Sequence, residues 1–188
     1  NYNFAYSVSS YSKGAIFLEQ LGFIVGADMR DKILLEYYRL WRFKHPNADD
    51  FLRVAEKSSD MKLDWYKEYW VNSTKTIDYG IDSLWEEGGK TKIRLRRIGK
   101  MPMPVDLLLE FKDGSKMQAY IPQFDMFGEK PDENPGIPRV VFEPWKWTHP
   151  EYVFAIDRKI AELKVLEIDP SQRMADVERR NNRLEVPW

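Results

Sequence analysis

The sequence predicts an α+β protein: an N-terminal helical segment followed by an antiparallel β-sandwich. Three observations lead there. Apolar residues recur with helical spacing up to about residue 73, whereas beyond it they fall in short β-branched runs. Ten of the 11 prolines lie after residue 100, the exception being Pro46. Tight-turn signals, Gly88-Gly89 and Asp113-Gly114, separate strand-like runs in the second part. The texture changes between Ser73 and Tyr79, which divides the chain into a helical segment, 1–75, and a β-sandwich domain, 76–188.

Four helices are expected in the first part. The first covers about residues 10–25 and stops at Gly26, with Ile16, Phe17, Leu18, Leu21, Phe23, Ile24 and Val25 on most of its circumference. A helix that is apolar on most sides is expected to be buried. The second covers 29–43, capped by Asp28, with Ile33, Tyr37 and Trp41 at i, i+4 and i+8 and with Leu34 and Tyr38 widening the stripe. His45-Pro46 ends it. Asn47 caps a short third helix, with Asp49 and Asp50 in its positive first turn and Phe51, Val54 and Ala55 inward. Asp60 is expected to cap the fourth, which carries Leu63, Tyr66 and Trp70 on one side.

The second part reads as seven strands: 76–85, 90–99, 105–111, 116–121, 139–142, 152–157 and 163–168. Seven short strands with such turns suggest a sandwich. Residues 130–138, with three prolines and a glycine, form a loop.

Composition removes several function classes. The chain has 188 residues, 43% of them hydrophobic and 31% charged, as in a soluble globular protein. Its net charge of −1 argues against a dedicated nucleic-acid binder. It has no cysteine, which excludes disulfides, thiol catalysis and Cys-ligated metals within the chain. Its two histidines, His45 and His149, each precede a proline and lack ligand partners at metal spacing, so turn or cap roles are expected for both. No apolar run is long enough to span a membrane. There is no HExxH, G-x-S-x-G or phosphate-binding loop, and Gly88-Gly89-Lys90-Thr91 joins strands rather than opening a helix. Lys90, Lys92, Arg94 and Arg96 alternate along one strand and read as its solvent side rather than as an anion site. Trp65, Tyr66, Tyr69 and Trp70, with Trp145 and Trp147, read as core or as a seam between domains rather than as a sugar platform. Asn72-Ser73-Thr74 fits a glycosylation sequon, a triplet common by chance.

Tyr6 and Tyr11, five residues apart at the head of the first helix, would on composition alone be packing residues with wet hydroxyls. Yet Tyr-x4-Tyr-x-Lys-Gly, followed by Phe17-Leu18-Glu19-Gln20-Leu21-Gly22, resembles the catalytic-tyrosine region of the aminopeptidase N and leukotriene hydrolase family of zinc metallopeptidases. Phe43-Lys44-His45-Pro46 and Asp50-Phe51 are similar to the family's next helix junction, and Leu63-Asp64-Trp65-Tyr66 to Asp78-Tyr79 to the passage from peptidase domain to sandwich. Ile93 to Gly99, Met103-Pro104-Val105, Phe111 to Gly114, Glu167 to Pro170 and Asn181-Asn182 are similar to the sandwich itself.

The resemblance implies that residues 1–75 are the end of a thermolysin-like catalytic domain. It implies that Tyr11 is the catalytic donor to the oxyanion, that Tyr6 lines the substrate pocket, and that the parent enzyme hydrolyses N-terminal peptide bonds with zinc. The family's HExxH and further Glu lie upstream of the tyrosine, so this chain is expected to be a C-terminal fragment. Alone it is expected to bind no zinc and to be inactive. Gly14 is expected to let another backbone approach and fix the tyrosine ring. The expected partners are a peptide substrate in the parent and the missing N-terminal part of the same polypeptide. With neighbours removed, the first helix would be partly exposed, and residues 1–28 are expected to be repacked, mobile or used in a homodimer contact; no nucleic acid is expected. The alternative reading is a non-catalytic helix-plus-sandwich interaction module. No compartment follows, since such peptidases occur in cytoplasm, in periplasm and on membranes.

Overall fold

The computed structural model describes residues 2–187 and has α+β architecture, with two sheets forming a sandwich that does not close into a barrel. The chain forms two compact units. One holds the residues up to Thr74 with Asp125–Pro131 and Arg173–Ala175; the other holds Lys75–Phe124, Asp132–Gln172 and the residues from Asp176 onward.

The helical unit opens with one continuous helical run. It comprises α1 (Tyr2–Tyr6), a π-helical stretch (Ser7–Lys13) and α2 (Gly14–Val25). The expected burial holds only for its second half: residues 20–25 are buried, while Tyr2, Phe4, Tyr6, Val8 and Ile16 are exposed. Gly26 ends the run at φ +88°, a conformation that L side chains avoid, and a Cβ there would lie 3.0 Å from Pro131 Cγ. The same glycine is the N-cap of α3 (Ala27–Trp41), so Asp28 sits in the first turn rather than capping it. Ile33 is fully buried on α3, whereas Tyr38 is exposed.

Asn47 caps α4 (Ala48–Ser59) as expected. Its side chain accepts from the Asp50 N–H at 3.1 Å, and Asp50 accepts from the Asn47 N–H at 3.0 Å. This reciprocal box satisfies two N–H groups that helical bonding leaves unpaired. Asn47→Ala is expected to lower stability by about 1 kcal/mol, read as a lower midpoint in urea with an unchanged slope.

Asp60 corrects an expectation. It is the left-handed C-cap of α4 (φ 57°), and its N–H donates to the Glu56 carbonyl. The sequence signal was ambiguous because Asp serves both as an N-cap and as a left-handed terminator. The next helix, α5 (Asp64–Trp70), starts without a side-chain cap, and buries Trp65, Tyr66 and Trp70.

Two excursions from the second half complete this unit. Gln20 on α2 is 2% exposed; its Nε2 donates to the Arg173 carbonyl at 2.7 Å and its Oε1 accepts from the Ala175 N–H at 3.1 Å. Lys130 is equally buried, with Nζ 3.7 Å from the Phe23 ring centroid, a cation–π arrangement. Met126 and Met174 are fully buried.

The sandwich unit has eight strands. β1 (Tyr79–Glu87), β2 (Lys90–Arg97) and β6 (Glu151–Ile156) form one sheet in the order β1-β2-β6. The other runs β5-β4-β3-β7-β8, from β3 (Val105–Phe111), β4 (Lys116–Ile121), β5 (Arg139–Val141), β7 (Leu163–Ile168) and β8 (Arg183–Glu185). Alternation sets the inner faces: Ile93 and Leu95 on β2, and Val105, Leu107 and Leu109 on β3, are buried. The hairpins turn at Gly88-Gly89 (φ +60° and +79°) and at Gly114 (φ +86°).

Among the described residues all strand pairings are antiparallel except β4–β5, which is parallel and departs from the expected all-antiparallel sandwich. A tight hairpin forces antiparallel pairing, but residues 122–138 form a crossover long enough to return the chain in the same direction. β8 was not anticipated, because three residues are too few to display an alternation. Residues 176–182 are tied to the start of β1: Asp176 accepts from the Tyr79 N–H at 3.0 Å and the Asn182 amide at 3.3 Å, and Asn181 donates to Asp78 at 2.9 Å. Gly99 packs so tightly that a Cβ there would lie 2.4 Å from the Thr76 carbonyl oxygen.

The basic strand reads as its solvent side. Lys90 pairs with Asp157 at 2.8 Å, while Arg94 and Arg96 share Asp82 at 3.5 and 3.6 Å. On the neighbouring strand, the Tyr152 phenol donates to the Glu143 carbonyl at 2.6 Å and is pushed up to about 12, by burial first and then by the Glu143 charge. A phenol protonated more firmly in the folded than the unfolded state contributes stability that is complete below the ordinary value near 10 and lost as pH rises towards 12. Tyr152→Phe is therefore expected to flatten the fall in stability between those values, measured by denaturant midpoints across that range.

Candidate active-site tyrosine pair

The seven residues Ser7–Lys13 include four serines. Serine is a modest helix former because its hydroxyl competes for nearby backbone groups. Here the Ser9 hydroxyl donates to the Ala5 carbonyl. The helix widens to π geometry over this stretch and returns to α geometry at Gly14, whose N–H donates to the Tyr11 carbonyl. Such π segments are rare in helices and concentrate at functional sites.

Tyr11 lies on the π stretch and Tyr6 at the end of α1. Their rings meet edge to face, with centroids 5.7 Å apart and planes at 84°. Both are exposed, Tyr11 at 67% and Tyr6 at 61%. The two residues singled out from sequence are thus brought side by side, with their rings open to solvent. Beyond its own turn of helix, no atom of the described residues lies within 4 Å of where a Cβ on Gly14 would be.

The base of the pair is held from within the helical unit. Lys13 Nζ donates to the Ser73 carbonyl at 3.1 Å, just past the end of α5. A cation there complements carbonyls that the helix leaves unpaired. Further along, the Tyr66 phenol donates to the Phe17 carbonyl, so its oxygen sits against the backbone of α2. Tyr66 is fully buried, and burial holds its phenol well above the usual range. Its ring packs on Phe17 at 4.9 Å, Trp65 at 5.7 Å and Trp70 at 6.0 Å. Tyr66 was read only as an aromatic of the core or a seam; its grip on α2 had no local signal, since it joins residues 49 apart in sequence.

The remaining candidates have structural settings. His45 is exposed in the turn after α3, where Phe43 is left-handed. The Trp145 indole donates to the His149 carbonyl at 2.8 Å. Trp145 is buried in the sandwich between Tyr79 and Tyr152, whereas Trp147 is half exposed. The Asn72 amide of the sequon donates to Glu68 at 2.9 Å.

Among the described residues no group of three or more His, Asp or Glu is placed to hold a metal ion, and the two histidines belong to different units. Among them, too, no helix is long and apolar enough to cross a membrane. Comparison with protein-family models and with curated proteins finds no match.

Proposed function

We propose that the chain is the C-terminal part of a zinc aminopeptidase of the aminopeptidase N and leukotriene hydrolase type. In this reading Tyr11 donates a hydrogen bond to the oxyanion formed at the scissile carbonyl, and Tyr6 lines the pocket beside it. The observation that carries the reading is the tyrosine pair itself: two solvent-open phenols in ring contact, on a π-helical stretch whose base is held by Lys13. A phenol is a neutral donor near pH 7 and reaches far from the backbone, which suits it to an oxygen that gains charge only in the transition state. The metal in this reading is held by residues outside the 188, as the resemblance implies.

The reading frame upstream of Asn1 tests this cheaply. An HExxH some tens of residues before Asn1, followed by a further Glu, is the expected result. A native start codon adjoining Asn1 would favour the rival, a non-catalytic helix-plus-sandwich interaction module.

A further inference from the structure

A second feature of the helical unit is lined by other residues and has its own chemistry. Between α3 and α4 runs a groove of about 580 Å³. One wall is Lys32, Leu35, Glu36, Arg39 and Leu40, the other Asp50, Arg53, Val54, Lys57 and Ser58. Each of these sets repeats at three to four residues, so both walls are helix faces about two turns long, on the order of 12 Å, and Trp41 closes the end of the α3 wall. The α3 wall keeps large apolar groups in solvent: Leu35 is 60% and Leu40 46% exposed.

The rim is basic. Lys32, Arg39, Arg53 and Lys57 face two carboxylates, Glu36 and Asp50, and both are engaged within their own helices. Asp50 closes the α4 capping box and accepts from Arg53 at 3.0 Å; Glu36 lies 3.8 Å from Arg39. Lys32 and Lys57, on opposite walls, have no ion-pair partner among the described residues.

We propose that the α3–α4 groove is a docking site for an acidic amphipathic helix of a partner protein. Two parallel ridges with an apolar strip between them accept a third helix, laid ridge into groove. Its apolar residues at i, i+4 and i+7 seat on Leu35 and Leu40. Its flanking carboxylates reach Lys32 on one side and Lys57 on the other. This surface is separate from the tyrosine pair and does not depend on the aminopeptidase reading.

The probe is a fluorescently labelled acidic peptide of about 14 residues, long enough to take up helix on binding, with leucines at i, i+4 and i+7 and glutamates flanking them. A control peptide carries lysine for each glutamate. Anisotropy titration of the intact chain is expected to give saturable 1:1 binding of the acidic peptide in the range of tens of micromolar, about −6 kcal/mol, and none of the basic one. Leu35→Asp is expected to abolish binding. The Lys32→Glu, Lys57→Glu double variant is expected to weaken it about tenfold and remove most of its salt dependence. All three side chains are exposed, so melting temperatures should stay near that of the unmodified chain. Absence of saturable binding, equal binding of the basic peptide, or binding indifferent to these substitutions would overturn the proposal. So would binding to phosphatidylserine vesicles, or self-association, through these residues without peptide binding.

Discussion

Replacing Tyr11 by phenylalanine in the full-length enzyme proposed above is expected to reduce kcat by about 100- to 1,000-fold, the usual effect of removing one oxyanion donor. KM should stay within about twofold. The substrate carbonyl carries little charge before attack, so a donor aimed at the oxyanion stabilises the ground state little. The substitution removes one oxygen from an exposed ring and keeps the edge-to-face contact with Tyr6, so the helix around it should stand. Steady-state kinetics on a dipeptide or on an N-terminal amino-acyl amide measure the split. Turnover near the unmodified level would remove Tyr11 from the chemistry. A raised KM with unchanged kcat would make it a ground-state binding residue instead.

The second large effect is expected at Tyr66. Its side chain is fully buried and touches three aromatic rings, and its phenol donates to the Phe17 carbonyl of α2. Tyr66→Ala leaves a cavity the size of a ring, which costs about 3–5 kcal/mol. Tyr66→Phe separates the two contributions: it keeps the ring contacts and loses the hydroxyl, for about 1–2 kcal/mol. Chemical denaturation of both variants tests this. A loss below about 1 kcal/mol for the alanine variant would mean that the aromatic cluster can close over the gap.

Much of the architecture was legible because its signals are local. Alternation and turn glycines placed seven of the eight strands; β3, β4 and β7 match to the residue. The Asn47 box was readable from three adjacent polar residues. What escaped depends on distant partners. Gln20 and Lys130 are polar residues buried beside segments far away in sequence, and nothing around them announces it. The parallel pairing of β5 follows from where a long crossover returns. The first helix was judged by composition, which reports how apolar a surface is and not what covers it. Its N-terminal half is accordingly exposed rather than buried.

The tyrosine pair was legible in a different way. Residue spacing alone left Tyr6 and Tyr11 as packing residues, and only the family resemblance raised them to a site. The π geometry under them was not expected from sequence, although the serine-rich stretch is a physical reason for it. Lys13 belonged to the quoted motif without an assigned role, and its bond to the Ser73 carbonyl supplies one.

The most direct measurement is metal content and N-terminal cleavage of the purified full-length polypeptide, assayed beside residues 1–188 alone. The account expects one zinc per full-length chain, release of free N-terminal residues from short peptides, and loss of that activity on chelation. It expects neither zinc nor cleavage from residues 1–188. A full-length protein that releases no N-terminal residue when zinc is supplied, or tight 1:1 zinc uptake by the 188 residues themselves, would contradict it.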